Sequence, residues 1–71
     1  MEKLVIDTLT RLDNSRDGNP RYLVKFTNGR MAKTAADSQI GYGIDNSEYQ
    51  GVSLDVEFNS AGEIVKVKVA D

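Results

Sequence analysis

The alternation of apolar and polar positions divides this chain into two β-hairpin patterns with a stretch between them that follows neither. Leu4 and Ile6 alternate with Val5 and Asp7 in a first strand over residues 3–12. Leu9 and Leu12 break that period, which points to a bulge or an early strand end. Residues 13–20, DNSRDGNP, are dense in turn formers and read as a loop. Pro20 cannot donate to a ladder, so it belongs at a strand start. Tyr22, Val24 and Phe26 then alternate with Leu23, Lys25 and Thr27, and Asn28-Gly29 follows directly. Asn-Gly best tolerates the two positive φ angles of a two-residue type I′ turn. A loop of that length sets Phe26 opposite Met31 and Val24 opposite Lys33.

The second hairpin pattern runs to the end of the chain. Val52, Leu54, Val56 and Phe58 alternate with polar residues, Asn59-Ser60-Ala61-Gly62 turns, and Val65, Val67 and Val69 alternate with Lys66 and Lys68. Matching the apolar faces sets Val56 opposite Val65 and Asp55 opposite Lys66. A bulge at Gly62 would shift this register by one. Either way Asp55 and Glu57 share the outer face with Lys66 and Lys68, where cross-strand charge pairs are worth roughly 0.2–1 kcal/mol each.

Residues 34–48, TAADSQIGYGIDNSE, admit two readings. Thr34-Ala35-Ala36-Asp37 fits a helix start with Thr34 as cap, and Ala36, Ile40 and Ile44 then share one face with Tyr42 nearly opposite. Against the helix, Gly41 and Gly43 each cost it about 1 kcal/mol relative to alanine. A strand is the other reading, since Ile40, Tyr42 and Ile44 also alternate with period two. The capping signal and the alanines favour the helix. The expectation is a single domain over residues 1–71, mainly β with one short helix. Its order is β-β-β-α-β-β in a small five-stranded, barrel-like antiparallel sheet, OB-like with the helix and SH3-like without it.

Composition narrows the chemistry. Seventy-one residues buy a modest core, and there is neither cysteine nor histidine. That removes disulfides, thiolate metal sites, the usual zinc ligand and the usual general base near neutral pH. No run approaches membrane-spanning length and the N-terminal segment lacks the apolar core of a signal peptide, so a soluble, intracellular protein is expected. The five serines have no histidine to activate them, and the glycines form neither a dinucleotide fingerprint nor a phosphate loop. Asp55 and Glu57 lie about 7 Å apart on one strand face, but they face lysines rather than a cleft. Asp37, Asp45 and Glu48 lack calcium-loop spacing. The expectation is a protein that is not an enzyme and has no metal or cofactor.

Charge is uneven along the chain. Residues 1–33 carry seven of the nine basic groups and a net charge of about +3, and residues 34–71 about −5. Such asymmetry reflects either a partner or two halves that balance each other in space. Two surfaces follow. Tyr42 and Tyr49, with Asp45 and Glu48, form a candidate protein-contact patch, because tyrosine offers a large rigid area with a polar tip. Lys25, Arg30 and Lys33 cluster at the Asn-Gly hairpin as the alternative, a single-strand nucleic-acid surface. Tyr22 and Phe26 share the expected core face, however, and the domain is acidic overall.

The segments TAADSQIGYGI (34–44), NSEY (46–49), VSLDVEF (52–58) and AGEI (61–64) together resemble small uncharacterised proteins of actinobacterial phages, mycobacteriophages in particular. Those proteins share a T-x-x-D-S/A-x-x-x-Y-x-I segment followed by N-x-E-Y/F. A V-x-L/V-x-V-x-F/L strand and a turn ending A-G-x-I come next. Ser47 stands where the pattern has proline. The resemblance spans less than half of the chain and holds no catalytic signature. It implies a phage accessory protein in the cytoplasm of a bacterial host, binding a host protein or a second copy of itself.

Overall fold

The computed structural model describes residues 2–70. Six strands form: β1 (Glu2–Leu4), β2 (Ile6–Leu12), β3 (Arg21–Phe26), β4 (Met31–Lys33), β5 (Leu54–Phe58) and β6 (Ile64–Val69). They make two antiparallel three-stranded sheets, ordered β1-β5-β6 and β2-β3-β4. The protein is therefore mainly β, as expected, with six strands rather than five.

The first apolar run serves both sheets. It breaks at Val5, so that β1 pairs with β5 while β2 pairs with β3, and Leu4 and Ile6 are buried on the two sides of the break. The expected bulge is present, at Asp7. Ile6 faces Phe26, but Thr8 faces Lys25. The extra residue turns Leu9 inward against the core and leaves Leu12 on the outer side with Thr8 and Thr10.

Both hairpin turns differ from the two-residue design. Thr27-Asn28-Gly29 is a three-residue loop in which the Phe26 N–H donates to the Arg30 carbonyl (2.8 Å) and the Gly29 N–H to the Phe26 carbonyl (2.9 Å). Only Gly29 takes positive φ (+90°), and Asn28 uses its Oδ1 to accept from the Arg30 N–H at 2.9 Å. One left-handed glycine beside an asparagine that closes onto the backbone replaces two left-handed residues. The expected pairing is thereby corrected by one: Lys25 faces Met31, Val24 faces Ala32 and Leu23 faces Lys33. Ser60-Ala61-Gly62 repeats the device, with Gly62 at φ +79° and Asn59 Oδ1 accepting from the Ala61 and Glu63 N–H groups. A further bulge at Val65 moves the register again, so Val56 faces Val67, Asp55 faces Lys68 and Glu57 faces Lys66. That bulge lets Ile64 and Val67, three apart, both reach the core.

The short helix expected within residues 34–48 does not form. Two short 3-10 turns, Ile40–Tyr42 and Ser47–Tyr49, lie in an otherwise irregular connector. Thr34 is not a helix cap. It is fully buried, its N–H donates to the Tyr22 carbonyl, its Oγ1 accepts from the Tyr22 N–H (3.0 Å), and it bridges Ile64. Ala35 donates to the Ile64 carbonyl at 2.8 Å. The Oγ1 that would cap the helix is thus taken by the Tyr22 N–H, the Thr34 carbonyl that would accept its first bond is taken by Arg21, and two glycines lower the remaining propensity. The buried alanine is Ala35; Ala36 is only half-buried. Ile44 is buried and Ile40 packs against the core, as the helix reading also required.

The sheets do not close into a barrel among the described residues. Beyond the β1–β2 run, the single parallel bridge Thr34–Ile64 joins the end of β4 to β6, and the bridge Ile6–Gln50 ties β2 to the connector. β4 is only three residues long and cannot carry a continuous ladder to β6. A side-chain tie reinforces the gap. The Arg21 guanidinium donates to the Thr34 carbonyl from Nε and Nη2 (both 3.1 Å) and to Glu63 Oε2 at 3.2 Å. Arg21→Ala leaves a carbonyl of a buried residue without these donors and is expected to cost about 1–2 kcal/mol in denaturant unfolding, whereas Glu63→Gln, which weakens the part-exposed ion pair and keeps an oxygen for the Asn59 amide, costs under about 1 kcal/mol.

Candidate functional site

Among the described residues, only the connector combines an exposed aromatic side chain with a backbone fixed from beneath. The Gly41 backbone lies against Pro20, close enough that a β-carbon at position 41 would sit 1.9 Å from the Pro20 carbonyl oxygen. Three residues later Ile44 is fully buried in the core. Between these anchors Tyr42 projects outward, 62 % exposed, with its hydroxyl 3.4 Å from the Gly18 carbonyl. The outward direction expected of Tyr42 from the helix reading is reached by a 3-10 turn instead. Asn46 then opens the second turn by accepting from the Glu48 N–H at 3.1 Å.

The other expected contact residues divide. Glu48 and Asp45 are exposed. Asp45 is also held by the protein, because its Oδ2 accepts from the Tyr22 hydroxyl at 3.1 Å. Tyr49 is half-buried and packs against the core, so it offers less area than expected. The surroundings of the Tyr22 hydroxyl push its phenol above its ordinary value. Burial is the main cause, followed by the hydrogen bond to Asp45 and that carboxylate's charge; Arg11, over the ring at 5.5 Å, pulls the other way. A raised pKa in the fold means stability that is complete below the usual tyrosine pKa of about 10 and is lost as pH climbs through the folded value. Alkaline absorbance titration should show one tyrosine ionising above that usual value, and Asp45→Asn should bring it down.

The basic trio is not one surface. Lys25 and Lys33 are exposed on the outer side of the β2-β3-β4 sheet, in neighbouring rows. Arg30 turns to the other sheet, where its guanidinium stacks 4.0 Å over the Phe58 ring and pairs with Glu2. Tyr22 and Phe26 take the inward side, with Phe26 buried and Tyr22 packed on the core. No ring therefore stands beside Lys25 and Lys33 for a base to stack on. The residue missed from sequence was Met31, 55 % exposed beside Lys25. Its exposure follows from the three-residue turn, which places it across from Lys25 rather than from Phe26.

An open depression of about 440 Å³ lies among Arg16, Asp17, Arg21, Asp37 and Glu63. Its charges nearly balance and Arg21 is engaged by Thr34 and Glu63. Among the described residues no three acidic side chains converge as metal ligands, and no helix is long and apolar enough to cross a membrane. Comparison with protein-family models, with curated proteins and with solved structures finds no match to this chain.

Proposed function

We propose that this chain is a non-enzymatic phage accessory protein that acts by binding another protein through its connector, with Tyr42 at the centre of the contact, Asp45 and Glu48 beside it and Tyr49 beneath. One observation carries the reading: the largest exposed aromatic area sits on a backbone pinned at Gly41 and Ile44. A rigid, solvent-facing tyrosine loses little conformational freedom on binding, which is why such residues dominate interface energetics. The absence of a nucleophile–base pair in the composition favours binding over catalysis. The resemblance of residues 34–64 to small actinobacteriophage proteins supports a partner in the cytoplasm of a bacterial host, or a second copy of the chain.

Immobilised protein exposed to actinobacterial lysate should retain a specific partner, and folded Tyr42→Ala should lose it. Retention of the same partner by Tyr42→Ala sinks the reading. The alternative, single-stranded nucleic acid on Lys25, Arg30 and Lys33, is disfavoured by the departure of Arg30 and the inward rings. A gel shift with short single-stranded DNA at low salt, lost on Lys25→Glu plus Lys33→Glu, would support that alternative instead.

A further inference from the structure

Among the described residues the two most exposed large apolar side chains, Tyr42 and Met31, belong to parts of the chain of opposite charge. Tyr42 belongs to a segment, residues 34–65, without a single lysine or arginine, and Asp45 and Glu48 follow it within six residues. Met31 belongs to the outer face of the β2-β3-β4 sheet. There the register sets Thr8, Lys25 and Met31 in one row and Thr10, Leu23 and Lys33 in the next, with no carboxylate among these six; the acid adjoining the first row is Asp7, the exposed bulged residue before Thr8. Among the described residues Lys25 and Lys33 make no ion pair, and neither do Asp45 and Glu48. The bonds that balance the charged halves, such as Arg21–Glu63, lie elsewhere.

From this complementarity we infer that the occupant of the Met31 face is the Tyr42 surface of a second copy of the chain. The inference rests on the Tyr42 reading above and names its partner. A tyrosine ring against the Met31 thioether is a favourable contact, and Lys25 and Lys33 then meet Asp45 and Glu48, steering the encounter and fixing its register. A nucleic acid is the poorer occupant, because this face offers Leu23 and Met31 between its lysines and no aromatic ring. The two surfaces are different patches of one molecule, so the contact is heterologous. Each copy keeps one free surface after the first contact, and assembly proceeds to a ring or an open chain.

Light-scattering mass across protein concentration tests this. At low salt the mass should rise above the 7.8 kDa of one chain as concentration increases, and should fall back in concentrated salt. Lys25→Glu plus Lys33→Glu should stay monomeric, and so should Glu48→Lys, each with the parent's circular dichroism. A mixture of the two should form a dimer and stop there. The first variant retains only its Tyr42 surface and the second only its Met31 face. A parent monomeric at every concentration overturns the inference, as does assembly indifferent to these substitutions or a mixture that stays monomeric. A monomeric parent that still binds another protein through Tyr42 leaves the Tyr42 reading standing and removes only the second copy. A salt-sensitive single-stranded DNA shift lost with the two lysines assigns the face to nucleic acid and also overturns it.

Discussion

Gly41→Ala is expected to remove on the order of 3 kcal/mol of folding stability, at the upper end of what overpacking costs. The added methyl would meet the Pro20 carbonyl oxygen at 1.9 Å and its carbon at 2.7 Å. Both are backbone atoms, so no side chain can swing aside; the connector or the residue 13–20 loop must move. At roughly 4–8 °C per kcal/mol for a domain of this size, the melting temperature should fall by about 15 °C. Gly43→Ala is the internal control. A β-carbon there meets nothing within 4 Å and φ is negative, so its effect should stay within about 0.5 kcal/mol. Equal melting temperatures for the two variants would show that Gly41 does not touch Pro20. A melt of Gly41→Ala also reports on function, because any outward shift of residue 41 carries Tyr42 with it.

Ile44→Ala is the second large effect, expected at about 2–5 kcal/mol. Ile44 is fully buried, in one cluster with Val24, Phe26, Leu54, Val56 and Ile64 drawn from both sheets. Truncation would leave a cavity where the connector enters the core, and relaxation is limited because Gly41 already fixes the chain three residues earlier. A domain of this size holds on the order of 4–11 kcal/mol, so the loss is a large fraction of the whole. Ile40→Ala, at a half-buried position, should cost clearly less. Urea unfolding of the two variants measures the contrast, and equal midpoints would mean that the connector lies on the core without entering it.

Much of the β structure was legible because it depends on short-range alternation. Val24 and Phe26, and Leu54 and Val56, face inward as their period of two demands. Turn type was less legible. Asn28-Gly29 signals a hairpin, but whether one residue or two take positive φ depends on the asparagine side chain closing onto the Arg30 N–H. That choice moved the register by one and exposed Met31. The connector was misread for a different reason. Thr34 and the alanines satisfy a local helix signal, while the Thr34 Oγ1 and carbonyl that would start the helix are claimed by Tyr22 and Arg21. Gly41 looked like a weakness in a helix and is a requirement of close backbone packing. The exposure of Tyr42 was legible; the inward turn of Tyr49, the bond from Tyr22 to Asp45 and the diversion of Arg30 onto Phe58 all rest on tertiary contacts.

The most direct test of binding through Tyr42 is photo-crosslinking from that position, with a photoreactive phenylalanine replacing the tyrosine. It is run on the purified protein and in actinobacterial lysate. The account predicts a discrete adduct from position 42, weakened by Glu48→Lys and absent when the same probe replaces Val69, another exposed apolar side chain. No adduct from position 42 in either setting, or an equal yield from position 69, would contradict it.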